Sequence, residues 1–138
     1  MYNEIGPMKI GIDLDGVIST FKFLNPSIKL PQWFYLPLSF LCFLLPPNFT
    51  KRKILQLLSE NNEIIVVSAR PKWFEFSTKL WLKFWRIPVD SVHCVGFGKG
   101  TKERKLKVLR EEGINVFIED DKRIIQFLSR HSIQVLSL

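Results

Sequence analysis

The sequence predicts a doubly wound α/β fold, a parallel five-stranded sheet with helices on both faces, and three observations predict it. Short runs rich in β-branched residues (MKIGIDL, EIIVVS, INVFIE) recur without apolar–polar alternation, as in strands buried on both faces. Helical patterns separate them, the spacing of βα units and not of hairpins. Polar and acidic residues gather just beyond the ends of the runs, where such sheets keep their chemistry.

Each element follows from its own residues. Residues 8–14 read as the first strand, ending in Asp13, Asp15 and Gly16. Residues 17–49 form a short insert, a minimal cap, aromatic and proline-rich and without a clean period; only 38–45 has a helical reading. Thr50 stands where an N-cap would, and Ile54, Leu57 and Leu58 then fall at i, i+3 and i+4. Asn61 and Asn62 break that helix, and 63–68 is the second strand. After Pro71, Trp73, Phe76, Leu80 and Phe84 form one stripe at core spacing, stopped by Ile87-Pro88. A short third strand spans 91–95, and 96–100 is a glycine-rich loop. A basic helix over 101–112 is closed by Gly113 at C′. Residues 114–119 are the fourth strand, Asp121 caps a helix carrying Ile124, Ile125 and Leu128, and 132–136 is the fifth. The order is Rossmann-like, and one domain over 1–138 accommodates it.

The 138 residues are 46% hydrophobic and 24% charged, the balance of a globular protein with a sizeable core. A net charge of +7 favours anionic partners, whether phosphorylated metabolites, nucleic acid or acidic lipid. Cys42 and Cys94 lack metal-ligand spacing and read as free thiols in a reducing, cytoplasmic setting. The N-terminal residues lack a basic region followed by an apolar stretch, so no signal peptide is expected. Residues 36–45 are apolar but bounded by prolines and fall short of the roughly 18 needed to span a bilayer, so no transmembrane segment is expected. A buried helix or cap element is the leading reading of that run, and interfacial membrane contact the lesser one.

The acidic strand ends define the candidate site. Period-two alternation sends Asp13 and Asp15 to the same side, and Glu119 and Asp120 add two more carboxylates from another strand. An oxygen-rich set of this kind suits Mg²⁺, which keeps waters and a substrate phosphate in its shell. Ser68, Ala69 and Arg70 end the second strand, and the basic helix offers Lys99, Lys102 and Lys105 to the same crevice.

IDLDGV, then SAR, a downstream lysine and IEDD stand at successive strand ends, and together they resemble the four signature motifs of the haloacid dehalogenase superfamily across nearly the whole chain. The resemblance implies a Mg²⁺-dependent phosphohydrolase acting through an aspartyl-phosphate. On it Asp13 matches the nucleophile, Asp15 the general acid/base, and Ser68 the hydroxyl that bonds a phosphoryl oxygen. A lysine would neutralise the transferring group. Lys105 is favoured because it stands in the K-x-x-x-L-x-x-x-G spacing of similar sequences, with Lys102 in reserve as a substrate contact. Asp120 matches a metal ligand, and Glu119 would bind directly or through water. Asp13 would ligate by its carboxylate and Asp15 by its backbone carbonyl. Gly16, Ala69 and Arg70 would line the phosphate. Within the superfamily the nearest look is to small 5′-nucleotidase and 5′(3′)-deoxyribonucleotidase-like members, through SARP before an aromatic helix and GINVFIEDD.

Plainer readings stand beside these. Asp-x-Asp-Gly makes a tight turn by itself, Asp121 caps a helix, and a basic helix face is ordinarily a solvated one. Trp73, Phe76 and Phe84 sit at core spacing, whereas Trp33, Phe34 and Tyr35 are left to line or cover the crevice. The leading expectation is hydrolysis of a nucleotide or other small phosphorylated metabolite. The alternatives are a phosphatase for polynucleotide ends or a phosphoprotein, and a non-catalytic module whose apolar insert engages a partner or membrane.

Overall fold

The computed structural model describes residues 8–14, 46–96 and 98–137. Asp15, Gly16, Cys42, the aromatic trio 33–35 and the helical reading of 38–45 lie outside the described residues. The elements run β1 (Lys9–Ile12), α1 (Phe49–Ser59), β2 (Glu63–Ser68), a 3₁₀ turn (Lys72–Phe74), α2 (Glu75–Phe84), β3 (Ser91–Cys94), α3 (Thr101–Glu111), β4 (Val116–Ile118), α4 (Lys122–Arg130) and β5 (Gln134–Leu136). All five strands are parallel, in the order β3-β2-β1-β4-β5. The chain winds outward from β1 to β3, then returns to β4 on the other side of β1. The β1/β4 boundary is therefore the topological switch point, and its C-terminal end is where such sheets open a crevice.

Two apolar layers hold the helices on opposite faces. On one face Ile64 and Val66 of β2 pack with Leu55 of α1 and with Trp81 and Leu82 of α2. On the other, Ile65 and Val67 pack with Leu106 and Leu109 of α3 and Leu128 of α4. Alternate residues of one strand thus feed both layers, which is why β2 is apolar throughout. Gly11 lets α3 approach β1 closely: a Cβ there would stand 3.1 Å from both Ile114 Cγ2 and Leu109 Cδ2.

The helix ends follow their sequence signals, with one shift. Gly113 has φ +70°; its N–H donates to the Arg110 carbonyl and that of Ile114 to the Leu109 carbonyl, a Schellman closure of α3. Asp121 caps α4 through the Arg123 N–H at 2.9 Å. The cap of α1, however, is Asn48 and not Thr50: the Asn48 side chain accepts from the Lys51 N–H at 3.1 Å, and Thr50 lies inside the first turn. The face of α1 that is fully buried centres on Leu55, and Leu57 is exposed.

The larger correction concerns α2. Phe74, Thr78, Trp81 and Leu82 are the buried residues of the turn and helix, whereas Trp73, Phe76, Leu80 and Phe84 are exposed. The expected core stripe is the outer face. A helix apolar on most of its circumference carries two stripes at helical spacing, and periodicity cannot choose between them.

Candidate functional site

The site is built at the C-terminal end of β1. The ladder runs one step past the strand, the Asp13 N–H donating to the Ile118 carbonyl at 2.9 Å, so Asp13 emerges beside β4 at the switch point. Its carboxylate is buried. Helix α3 delivers the cation. Leu106 and Leu109 pin one face of α3 to the sheet, and Lys105, just before Leu106 and one turn before Leu109, takes the same inward phase. Its ammonium lies 3.1 Å from Asp13 Oδ1 and 3.0 Å from Glu119 Oε2, with the residue only 1% exposed. Of the three candidate lysines this is the one that meets Asp13. Lys102 is exposed with its ammonium 5.1 Å from the centre of the Phe127 ring, and Lys99 is exposed before the helix.

Two opposing influences set the charge of Lys105. Burial acts most strongly and pushes its pKa down. The negative charges of Asp13 and Glu119, with the hydrogen bonds to both, push it up, and together they prevail at about 12. The other oxygen of Glu119 accepts the backbone N–H groups of Asp120 at 3.0 Å and Asp121 at 3.2 Å. Glu119 is thus an anchored acceptor for the lysine. Asp120, next along the chain, is exposed, with Ser137 Oγ 3.4 Å from its Oδ1.

The second strand end is equally ordered. Ser68 is fully buried, and its Oγ accepts the Arg70 N–H at 3.1 Å, which leaves the hydroxyl proton directed elsewhere. Arg70 is buried: its Nη1 donates to Thr78 Oγ1 at 3.1 Å, and its carbonyl accepts the Gly96 N–H. Ala69 lies between them, half-buried.

Sequence reasoning missed Arg104. Its Nε donates to the Val95 carbonyl at 2.7 Å, Nη1 to that of Lys99 at 2.9 Å and Nη2 to that of Gly96 at 3.2 Å. The guanidinium thereby organises a loop in which Gly96, Gly98 and Gly100 all have positive φ, and which leads into the helix bearing Lys105. The signal was present as three glycines in five residues followed by an arginine within one helical turn.

Two buried carboxylates, those of Asp13 and Glu119, share the ammonium of Lys105, and Asp120 adds a third carboxylate at the neighbouring strand end. A hard divalent cation fits this donor chemistry. Among the described residues no three potential ligands are already gathered around one point. Nor is any helix of the described residues long and apolar enough to cross a membrane.

No family model matches the chain, and no curated protein matches its sequence. Solved structures do match its fold. A chain of the Pnkp1/Rnl/Hen1 RNA repair complex superposes with a TM-score of 0.73 at 14% identity, covering 100% of this chain and 44% of that one. This chain therefore spans less than half the length of that relative. A haloacid dehalogenase family enzyme from Bacteroides thetaiotaomicron, solved as an aspartate-to-alanine mutant with magnesium and inorganic phosphate, gives 0.63 at 14% identity over 96% and 94% of the two chains. A haloacid dehalogenase-like hydrolase from Streptococcus pneumoniae gives 0.61 at 11% over 95% and 84%. The chain has the parallel five-stranded fold seen in haloacid dehalogenase hydrolases.

Proposed function

We propose that this chain is a Mg²⁺-dependent phosphomonoester hydrolase that works through an aspartyl-phosphate on Asp13, with a nucleotide or other small phosphorylated metabolite as substrate. The observation that carries the reading is the buried Asp13 carboxylate, held by Lys105 at the switch point of a sheet shared with haloacid dehalogenase hydrolases. An Asp13 oxygen attacks phosphorus as the ester P–O bond breaks, and the leaving alkoxide takes a proton from the Asp15 carboxyl. Water then attacks the phosphorus of the acyl-phosphate, Asp15 accepts its proton, and phosphate leaves with Asp13 restored. Lys105 has three N–H donors: two hold Asp13 and Glu119, and the third serves a phosphoryl oxygen. Ser68, its oxygen already an acceptor, donates its proton to another.

Asp13, Asp120 and the backbone of Asp15 are assigned to hold Mg²⁺, with Glu119 reaching it only through water. Bound there, the ion would neutralise charge on the transferring phosphoryl group. Gly16 and Ala69 are assigned to the phosphate, Arg70 to it and to the Thr78 anchor, and Lys102 to the outer part of the substrate. A specific observation also favours the polynucleotide reading: Lys99, Lys102, Lys122 and Arg123 are exposed where α3 and α4 begin, at the same end of the sheet. The RNA repair complex among the matching structures is consistent with it.

The test is release of inorganic phosphate from a panel of nucleotides, sugar phosphates and 3′- or 5′-phosphorylated oligonucleotides, with Mg²⁺ or a chelator. Wild type should turn over one class only with metal, and Asp13→Asn, which keeps shape but loses the nucleophile, should be inactive. Equal activity in the variant would sink the mechanism, and activity confined to oligonucleotides would move the substrate to the second reading.

A further inference from the structure

Helix α3 makes the widest crossover of the sheet, leaving the edge strand β3, packing on β2 and delivering the chain to β4 beyond β1. Leu106 and Leu109 turn one face of it inward, but apolar packing is non-directional and does not by itself fix where the helix begins. Directional bonds fix that at Arg104. Val95 and Gly96, the first two residues beyond β3, face two ways. Their N–H groups donate to the end of β2, to the carbonyls of Ser68 at 2.8 Å and Arg70 at 2.9 Å. Their own carbonyls accept from Arg104, from Nε at 2.7 Å and from Nη2 at 3.2 Å. Nη1 holds the Lys99 carbonyl at 2.9 Å, and Thr101 Oγ1 accepts from Nη2 at 3.2 Å in the first turn of the helix. Two bridges of one residue each therefore run from the end of β2, through the end of β3, to a guanidinium on α3. The next residue is Lys105.

We infer that Arg104 is a positioning residue, which sets the spacing between the Ser68 and Lys105 halves of the phosphate site. The inference rests on the phosphohydrolase reading, in which Ser68 and Lys105 bond oxygens of one phosphoryl group. Consecutive helical residues point about 100° apart. Arg104 therefore grips the loop while Lys105 turns inward to Asp13 at 3.1 Å, and the first acts on the phosphate through the second. The clamp needs the planar fork of arginine. Three nitrogens set in fixed directions meet the carbonyls of Val95, Lys99 and Gly96, which the single ammonium of a lysine does not reproduce. A shift of about 1 Å in a group that stabilises the transferring phosphoryl costs on the order of a hundredfold in rate, and the rest of the substrate binds as before.

The experiment compares the full wild-type chain with Arg104→Lys and Arg104→Ala on p-nitrophenyl phosphate and Mg²⁺, with kcat scaled to the folded fraction from far-UV dichroism. Arg104→Lys, which keeps the charge, should lose about tenfold to a hundredfold in kcat while KM stays within about threefold. Millimolar free guanidinium should restore part of the kcat of Arg104→Ala, where urea does not. An unchanged kcat per folded chain in Arg104→Lys overturns the proposal, as does a loss confined to KM. A wild type inert toward every phosphomonoester would instead overturn the phosphohydrolase reading, and a second measurement then decides the placement of Lys105 without substrate. The buried Lys105 ammonium should give a ¹H–¹⁵N signal that Lys105→Met removes. In Arg104→Lys that signal should shift or broaden; a signal that keeps its wild-type position and width overturns the positioning role.

Discussion

Lys105 is held by two carboxylates that would be destabilising without it, and its removal exposes that dependence. Raised from 10.5 to about 12 in the folded chain, it contributes about 2 kcal/mol of stability. The sign follows from the direction of the shift: the contribution is complete below pH 10.5 and is lost as pH climbs through about 12. Urea denaturation across that alkaline window should therefore show a fall that a Lys105→Met variant lacks. At neutral pH the same variant should be less stable by about 3–5 kcal/mol, because Asp13 and Glu119 are then buried without their cation. A variant as stable as wild type at neutral pH would mean that the buried triad does not form.

Elements were legible in this sequence where a local signal had one physical meaning. Gly113 could only close α3, and Asp121 was read as a cap because its neighbours were needed elsewhere; both do what their chemistry suggests. The outer stripe of α2 was illegible because Trp73, Phe76, Leu80 and Phe84 have the same spacing as a buried face, and only the sheet decides which side turns inward. Asn48 does not stand out as a cap in the sequence because it follows two prolines at the end of the aromatic, proline-rich insert. Gly11 carries a signal that no periodicity shows, the contact of β1 with α3. Replacing it with Val should cost about 1–3 kcal/mol in urea denaturation, since the added carbons meet Ile114 and Leu109 head-on. Leu109 is one turn beyond Lys105, so the push should also weaken the Lys105–Asp13 contact and lower any phosphatase activity more than stability alone explains. An unchanged Gly11→Val would show that α3 does not press on β1.

At the scale of the molecule, the strand order brings residues 13, 68, 105 and 119 to one end of the sheet although they span most of the chain. Their order along the chain was visible in the sequence, and the spacing before Gly113 favoured Lys105 over Lys99 and Lys102; what the sequence could not show is how Leu106 and Leu109 rotate α3 so that Lys105 meets Asp13. The role of Glu119 as an anchor for that lysine was hidden for the same reason. Net charge was the coarsest signal, and salt dependence resolves it. A mononucleotide offers one phosphate to the site, so its KM should change by less than about fivefold between 50 and 200 mM salt. An oligonucleotide end held by Lys99, Lys102, Lys122 and Arg123 would release counterions from about four phosphates, and a slope near −0.7 per contact makes that loss about 50-fold. Measuring KM for both substrate types across this range therefore separates the two readings. A shallow dependence for each leaves the basic helix ends as solvated faces, and a steep one confined to the oligonucleotide makes them part of the substrate site.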